Sequence, residues 1–354
     1  MKRIFLIFFL FLSLSLTGCS KKDNPPSGPV LEIKGSDMSF LPEVRQSGFI
    51  IRNADGQPED MLVTLEKAGV NTIRLRLWKN PESPTSGFET VKSLSQEIQG
   101  KGMKVMIAVH YSDTWADPGH QTKPAQWQGI PFEQLKDSVF EYTRKIVTEI
   151  QPEYIQIGNE INAGLLWPEG RYDQPVQMRE LLGQGIAAVR THGPSTKIIL
   201  QYAGHQHANG FFSGLASLDY DIIGLSYYPI WHGKNLTELR QNLAQIAMQQ
   251  GKPVFIAETS YPFTLDWNDW TDNLVGLESQ LLDEFPATPE GQRNYLQRIK
   301  EIITDVNDGI GFCYWGAEWV SYKGATATNG STWENQALWN FNERALPAIE
   351  VFSD

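Results

Sequence analysis

Two cysteines in 354 residues, Cys19 and Cys313, give no disulfide framework to build on. A basic stripe is missing as well. Acidic residues outnumber basic ones by 41 to 30, for a net charge of −11. That balance argues against nucleic acid as a partner and, by like-charge repulsion, against an acidic polysaccharide. A neutral substrate suits it best. No Gly-rich phosphate turn follows the first predicted strand, so an open nucleotide-binding sheet lacks its usual mark. No paired His-x-x-x-His or Cys spacing is present to gather a metal, so neither metal nor cofactor is expected. The apolar run Ile4 to Leu16 is shorter than the ~20 residues that span a bilayer.

That short run has another use. Lys2 and Arg3 precede it, and Leu16-Thr17-Gly18-Cys19 closes it, a pattern that resembles a bacterial lipobox. Residues 1–19 are therefore expected to be a lipoprotein signal, with Cys19 carrying a lipid that anchors the chain to a membrane. Ser20 after the cysteine is compatible with sorting to the outer membrane of a bacterial envelope. Residues 20–30, rich in proline and polar groups, are expected to form a tether. With Cys19 so used, Cys313 has no partner and is expected to be a buried core residue in the apolar run Ile310 to Trp315.

What is abundant is alternation. Eight β-type runs, several of them continuously apolar like Val105-Met106-Ile107-Ala108-Val109, alternate with helical segments. The runs are Glu32 to Ser36, Thr72 to Leu77, Lys104 to His110, Tyr154 to Glu160, Lys197 to Ala203, Ile222 to Tyr228, Val254 to Thr259 and Ile310 to Trp315. Helices are predicted over Asp60 to Ala68, Phe132 to Ile150, Leu236 to Gln250 and Pro289 to Ile303. Gly210 and Gly214 weaken the one before the sixth strand. The pattern predicts an α/β chain with a single (β/α)8 TIM-barrel domain over residues 31–354, expected as a monomer.

A barrel of this kind carries its site at the carboxyl ends of its strands. Reactive residues collect there: Arg74 and Arg76, Trp78, His110, Trp115, Asn159, Glu160, Tyr227, Trp231, Glu258 and Trp315. Glu160 and Glu258 each end an apolar run, where a carboxylate is costly to bury. Such a pair suggests the two carboxyls of a glycosidase. Asn159 could hold a sugar hydroxyl. One of the two arginines is expected to reach Glu258, and Arg76, nearer the strand end, is favoured. The tryptophans, with Trp167 and Trp319, are candidate sugar platforms or plain packing. His205 and His232 have either a duty or none.

Longer words sharpen this. Gly35-Ser36-Asp37-Met38-Ser39, Gly69-Val70-Asn71-Thr72-Ile73-Arg74-Leu75-Arg76-Leu77-Trp78, His110-Tyr111-Ser112-Asp113-Thr114-Trp115-Ala116-Asp117-Pro118, Gln156-Ile157-Gly158-Asn159-Glu160-Ile161-Asn162, Leu166-Trp167-Pro168 and Ser226-Tyr227-Tyr228-Pro229 are spread through the chain. In these segments the chain resembles glycoside hydrolase family 53, the endo-β-1,4-galactanases. The resemblance implies Glu160 as acid/base, Glu258 as nucleophile, and β-1,4-galactan, a neutral polysaccharide, as substrate. It also makes Asp37 and Tyr227 candidates for substrate binding. A related mannanase or xylanase is the alternative. A surface glycan-binding protein is disfavoured because both carboxylates are present. The loop Thr264 to Asn273 carries oxygen groups where the resemblance raises a structural calcium, but without the spacing of an EF-hand, so no metal is expected there.

Overall fold

The computed structural model describes residues 31–353. Cys19, the signal and the tether lie outside the described residues, as does Asp354. Eight parallel strands close into a barrel in sequence order: β1 Ile33–Asp37, β2 Thr72–Leu77, β3 Lys104–Val109, β4 Tyr154–Ile157, β5 Lys197–Ala203, β6 Ile222–Ser226, β7 Val254–Thr259 and β8 Gly309–Tyr314. The ring shuts where β1 pairs with β8, with Gly35 opposite Cys313. A Cβ added at Gly35 would stand 3.1 Å from the Cys313 Cβ, so any larger residue would press this seam apart by a few tenths of an ångström. Cys313 is wholly buried, as its apolar setting predicts.

The strands are largely buried on both faces because both are covered. Outside, helices such as Phe88–Gly100, Phe132–Glu149, Pro175–His192, Leu236–Gln250 and Pro289–Thr304 return the chain between strands. Phe132–Glu149 buries Leu135, Val139, Tyr142 and Ile146, one stripe of a 3.6-residue period. Each such aliphatic side chain contributes ~1.5–3 kcal/mol on burial. Asp60 caps Met61–Lys67 by accepting from the Leu62 N–H, and Thr288 caps Pro289–Thr304 through Gly291. The helix before β6 is only Ala208–Ser213, and Gly214 caps it.

Inside, Ile33, Met106, Tyr154, Ile199, Ile222 and Phe255 form a second apolar cluster from the early residues of their strands. It plugs the barrel below and leaves the upper layer to polar groups. Four strands stop earlier than predicted, β3 at Val109 and β8 at Tyr314 by one residue, and β4 and β6 by two or three. β4 ends at Ile157, and the chain turns through Gly158 (φ +81°) to Glu160 (φ +45°). β6 ends at Ser226. A register shift between Leu225 and Ser226 sets Ser226 beside Glu258 of β7.

Candidate active site

The top of the barrel opens into a cleft of ≈ 770 Å³. Glu160 and Glu258 both line it, together with Arg74, Arg76, His110, Trp115, Asn159, Tyr228, Trp231, His232, Trp315, Trp319 and Trp333. The sequence thus brings its two glutamates together from β7 and from the turn after β4.

Glu258 sits in a dense set of donors. Arg74 Nη2 lies 2.6 Å from its Oε1, Gln201 Nε2 lies 2.9 Å from the same oxygen, and the Tyr228 hydroxyl donates to Oε2 at 3.0 Å. Arg74, 1% exposed, also holds Asp37 at 2.8 Å through Nη1 and Asn159 Oδ1 at 2.9 Å. Burial works against the Arg74 charge, and the carboxylates of Glu258 and Asp37 outweigh it, so the guanidinium stays protonated. Burial, and then the negative charge of Glu258, keep the Tyr228 phenol protonated and able to donate.

Glu160 has the opposite setting. Its carboxyl opens partly on the cleft but is otherwise walled in by protein. Burial first, and the charge of Glu258 second, push its pKa up to about 8 against weaker opposition from Ser226 and Arg74. At neutral pH it therefore keeps its proton. Its backbone is left-handed, a conformation that costs a non-glycine residue ~1–2 kcal/mol. The Glu160 N–H donates to Gln201 Oε1 at 3.1 Å, and Gln121 Nε2 holds the preceding carbonyl at 2.8 Å. Gly158 makes this turn possible: a Cβ there would fall 2.6 Å from Ile161 Cγ2.

The choice of arginine is corrected. Arg74, not Arg76, reaches Glu258, and both point inward because residues two apart on a strand share a face. Arg76 lines the cleft with its guanidinium 4.5, 4.6 and 4.1 Å from the ring centres of Phe40, Trp78 and Trp115. Burial pulls its pKa down to about 10, which still leaves it charged at neutral pH.

Four further candidates move away from the cleft surface. Asp37 is buried and spent on Arg74 and Ser39. Tyr227 turns from the cleft and donates to the Gly233 carbonyl at 2.8 Å, so its neighbour Tyr228 is the tyrosine of the site. Trp78 stands behind, donating to His110 Nδ1 at 3.3 Å and packing edge-on against Trp115. Trp167 likewise lies off the cleft, donating to the Ala163 carbonyl.

His110 Nδ1 also accepts from the Ala116 N–H at 3.0 Å, which puts its proton on Nε2. Burial first, then Arg76 and Arg74, hold its pKa well below the usual range, so it is a neutral donor. His232 Nδ1 accepts from the Tyr228 N–H, and its ring lines the cleft. His205 lies behind, with one nitrogen at the His232 carbonyl and the other at Asn242. Trp115, Trp315, Trp319 and Trp333 form a continuous aromatic wall, with Trp315 at 4.7 Å from both Trp319 and Trp333. Trp231, 53% exposed, stands at the rim.

Sequence reasoning missed Gln156, Gln201, Tyr228 and Trp333. A glutamine inside an apolar strand, as in Ile-Ile-Leu-Gln-Tyr-Ala of β5, was the available signal. Glu334, from the segment after β8, accepts at Oε1 the N–H groups of Asn268 and Asp269 in the loop after β7, while Asp269 accepts from Thr271. These acids cap loop amides. No group of three or more His, Cys, Asp or Glu side chains suited to a metal occurs among the described residues.

Known proteins resemble this chain in sequence and fold. A solved structure, the Ignisphaera aggregans GH53 catalytic domain, superposes with a TM-score of 0.88 at 33% identity, covering 93% of this chain and 98% of that one. An arabinogalactan endo-β-1,4-galactanase of Cellvibrio japonicus is 31% identical over 99% of this chain and 97% of its own length. An uncharacterised Niallia circulans protein is 35% identical over 90% and 93% respectively. The sequence model of glycosyl hydrolase family 53 matches residues 33–352, nearly the whole barrel. By its sequence, its closed barrel and the two glutamates in its cleft, this chain belongs to glycosyl hydrolase family 53.

Proposed function

We propose that the chain is a retaining endo-β-1,4-galactanase that cuts within type I (arabino)galactan. The observation that carries this reading is the contrast between two carboxyls in one cleft. Glu160 keeps its proton to about pH 8, while Glu258 is ion-paired with a buried arginine. Protonated acid and anionic nucleophile are the two states that a double displacement needs at its start.

In the first step Glu160 gives its proton to the glycosidic oxygen as that bond to the anomeric carbon breaks. Glu258 attacks the same carbon. Two donors already occupy Oε1, which leaves Oε2 to form the ester bond, with Oε1 becoming its carbonyl. In the second step Glu160, now ionised, takes a proton from water. The resulting hydroxide displaces Glu258 and restores both groups. His110, with a proton on Nε2, and Asn159 supply hydrogen bonds to sugar hydroxyls. Trp315 and its neighbours offer flat apolar faces to the rings. An open cleft admits an internal stretch of polymer.

Product analysis on linear β-1,4-galactan tests this, using the chain without residues 1–19. A ladder of galacto-oligosaccharides at early times is expected, with no comparable release from mannan or xylan. Galactose alone would overturn endo action, and faster release from mannan or xylan would overturn the substrate.

We further propose export and attachment to the outer membrane through Cys19, a reading supported by the lipobox-like Leu16 to Cys19. Labelling with a fatty-acid analogue should mark the chain and spare Cys19→Ala. Equal labelling of both would sink it.

A further inference from the structure

Gln201 lies in the middle of β5, fully buried, below the cleft surface. Its amide touches both halves of the site. Nε2 donates to Glu258 Oε1 at 2.9 Å and to Ser226 Oγ at 3.0 Å. Oε1 accepts from the Glu160 backbone N–H at 3.1 Å and from Gln156 Nε2 at 2.6 Å. The orientation is settled by its partners, because a backbone N–H can only donate and a carboxylate can only accept. Gln156 is oriented in turn by the Gly158 carbonyl, which accepts from its Nε2 at 2.9 Å.

We propose that Gln201 is a positioning residue that ties the Glu160 backbone and the Glu258 carboxylate into one frame, so that acid and nucleophile keep a fixed relation across the reacting carbon. This rests on the hydrolytic reading given above. The need for such a tie is visible in the chain. Glu160 sits beyond the end of β4 in a left-handed conformation, without the ladder bonds that hold Glu258 on β7. One planar amide, anchored in a strand between the two, removes that slack. Its polarisation acts in the same sense: donation to an anion at one end makes the oxygen at the other end a better acceptor.

The charged and titratable groups around this amide come from every neighbouring element. Arg74 of β2 approaches with Asp37 of β1 behind it, Glu160 follows β4, Tyr228 follows β6, Glu258 lies on β7, and Cys313 of β8 lies near Arg74. A new negative charge at position 201 would therefore meet two carboxyls already present. A neutral carboxyl there would mimic the amide, with one donor and one acceptor.

The test uses Gln201→Met and Gln201→Glu beside the natural chain, each assayed on galactan across pH, with circular dichroism at each pH as the folding control. Gln201 does not line the cleft, so KM should stay close to that of the natural chain. For Q201M, kcat should fall by ~10²-fold at every pH, the scale of losing one preorganised donor. Q201E should be nearly inactive at neutral pH and recover several-fold as the introduced carboxyl protonates on acidification. A structural filler would show neither the split between kcat and KM nor recovery in acid. Natural kcat in Q201M, or a Q201E profile parallel to that of Q201M, overturns the proposal while leaving the galactanase reading standing. An inactive natural chain overturns both.

Discussion

Arg74 and Arg76 share one face of one strand, yet the first neutralises Glu258 and the second rests among three aromatic rings. Arg74→Met would strand the buried carboxylates of Asp37 and Glu258, at a cost of ~3–5 kcal/mol. Arg76→Met removes no direct partner of a carboxylate and should be the milder change. Urea denaturation of the two variants checks the order, and the reverse order would contradict this division of labour.

The pH dependence follows from Glu160. A group that must be protonated to release the leaving sugar, with its pKa near 8, predicts an alkaline limb of kcat/KM in that region. Glu160→Gln should lose most activity and the limb with it. A limb at the same pH in that variant would assign the titration to another group.

Stability has its own pH window. Burial raises both Glu160 and Glu318 to about 8, against an ordinary value of 4.5 in the unfolded chain. The folded chain therefore binds more protons between those values, and its stability falls as pH rises through them. What these groups contribute is intact below about 4.5 and gone above about 8. Glu318 is wholly buried, with Oε1 spent on the Phe40 N–H at 2.7 Å. Glu318→Gln should flatten the decline in urea midpoint between about pH 5 and about pH 9.

Adjacent tyrosines separate chemistry from packing. Tyr228→Phe removes the donor on Glu258 Oε2 and should lower kcat by ~10²-fold with the fold intact. Tyr227→Phe removes a bond to the Gly233 carbonyl and should cost ~1 kcal/mol of stability with near-natural turnover. Paired kcat and thermal-melt measurements read both.

Gly158→Ala tests the turn that carries the acid. The new Cβ meets Ile161 Cγ2 at 2.6 Å and adopts a left-handed φ, so ~1–2 kcal/mol of stability should go, with a drop in kcat. Lost stability with unchanged kcat would show that the turn tolerates displacement.

The barrel and its two glutamates were legible in the sequence because short apolar strands alternate with amphipathic helices, and the residues at their ends stand out against that background. Details beyond the strand ends were not. Glu160 reads as the last residue of a strand, whereas Gly158 had already turned the chain. Tyr227 and Tyr228 are equivalent in sequence until the end of β6 at Ser226 sets which one faces the cleft. Asp37 looks like a ligand for substrate until the reach of Arg74 from the next strand is known. Gln201 stands out in sequence only as a polar residue in an apolar strand, because its role lies in partners on or after β4, β6 and β7. For Asp37 and Gln201 the decisive fact is a contact with another strand, and for Glu160 and the tyrosines it is where a strand ends.

Cys313 adds a use of a different kind. It is the free thiol among the described residues and sits wholly enclosed at the seam where the first and last strands meet. A thiol reagent can reach it only when that seam parts. Its rate of labelling is thus a clock for the opening of the barrel, readable without any substrate and without adding a probe to the chain.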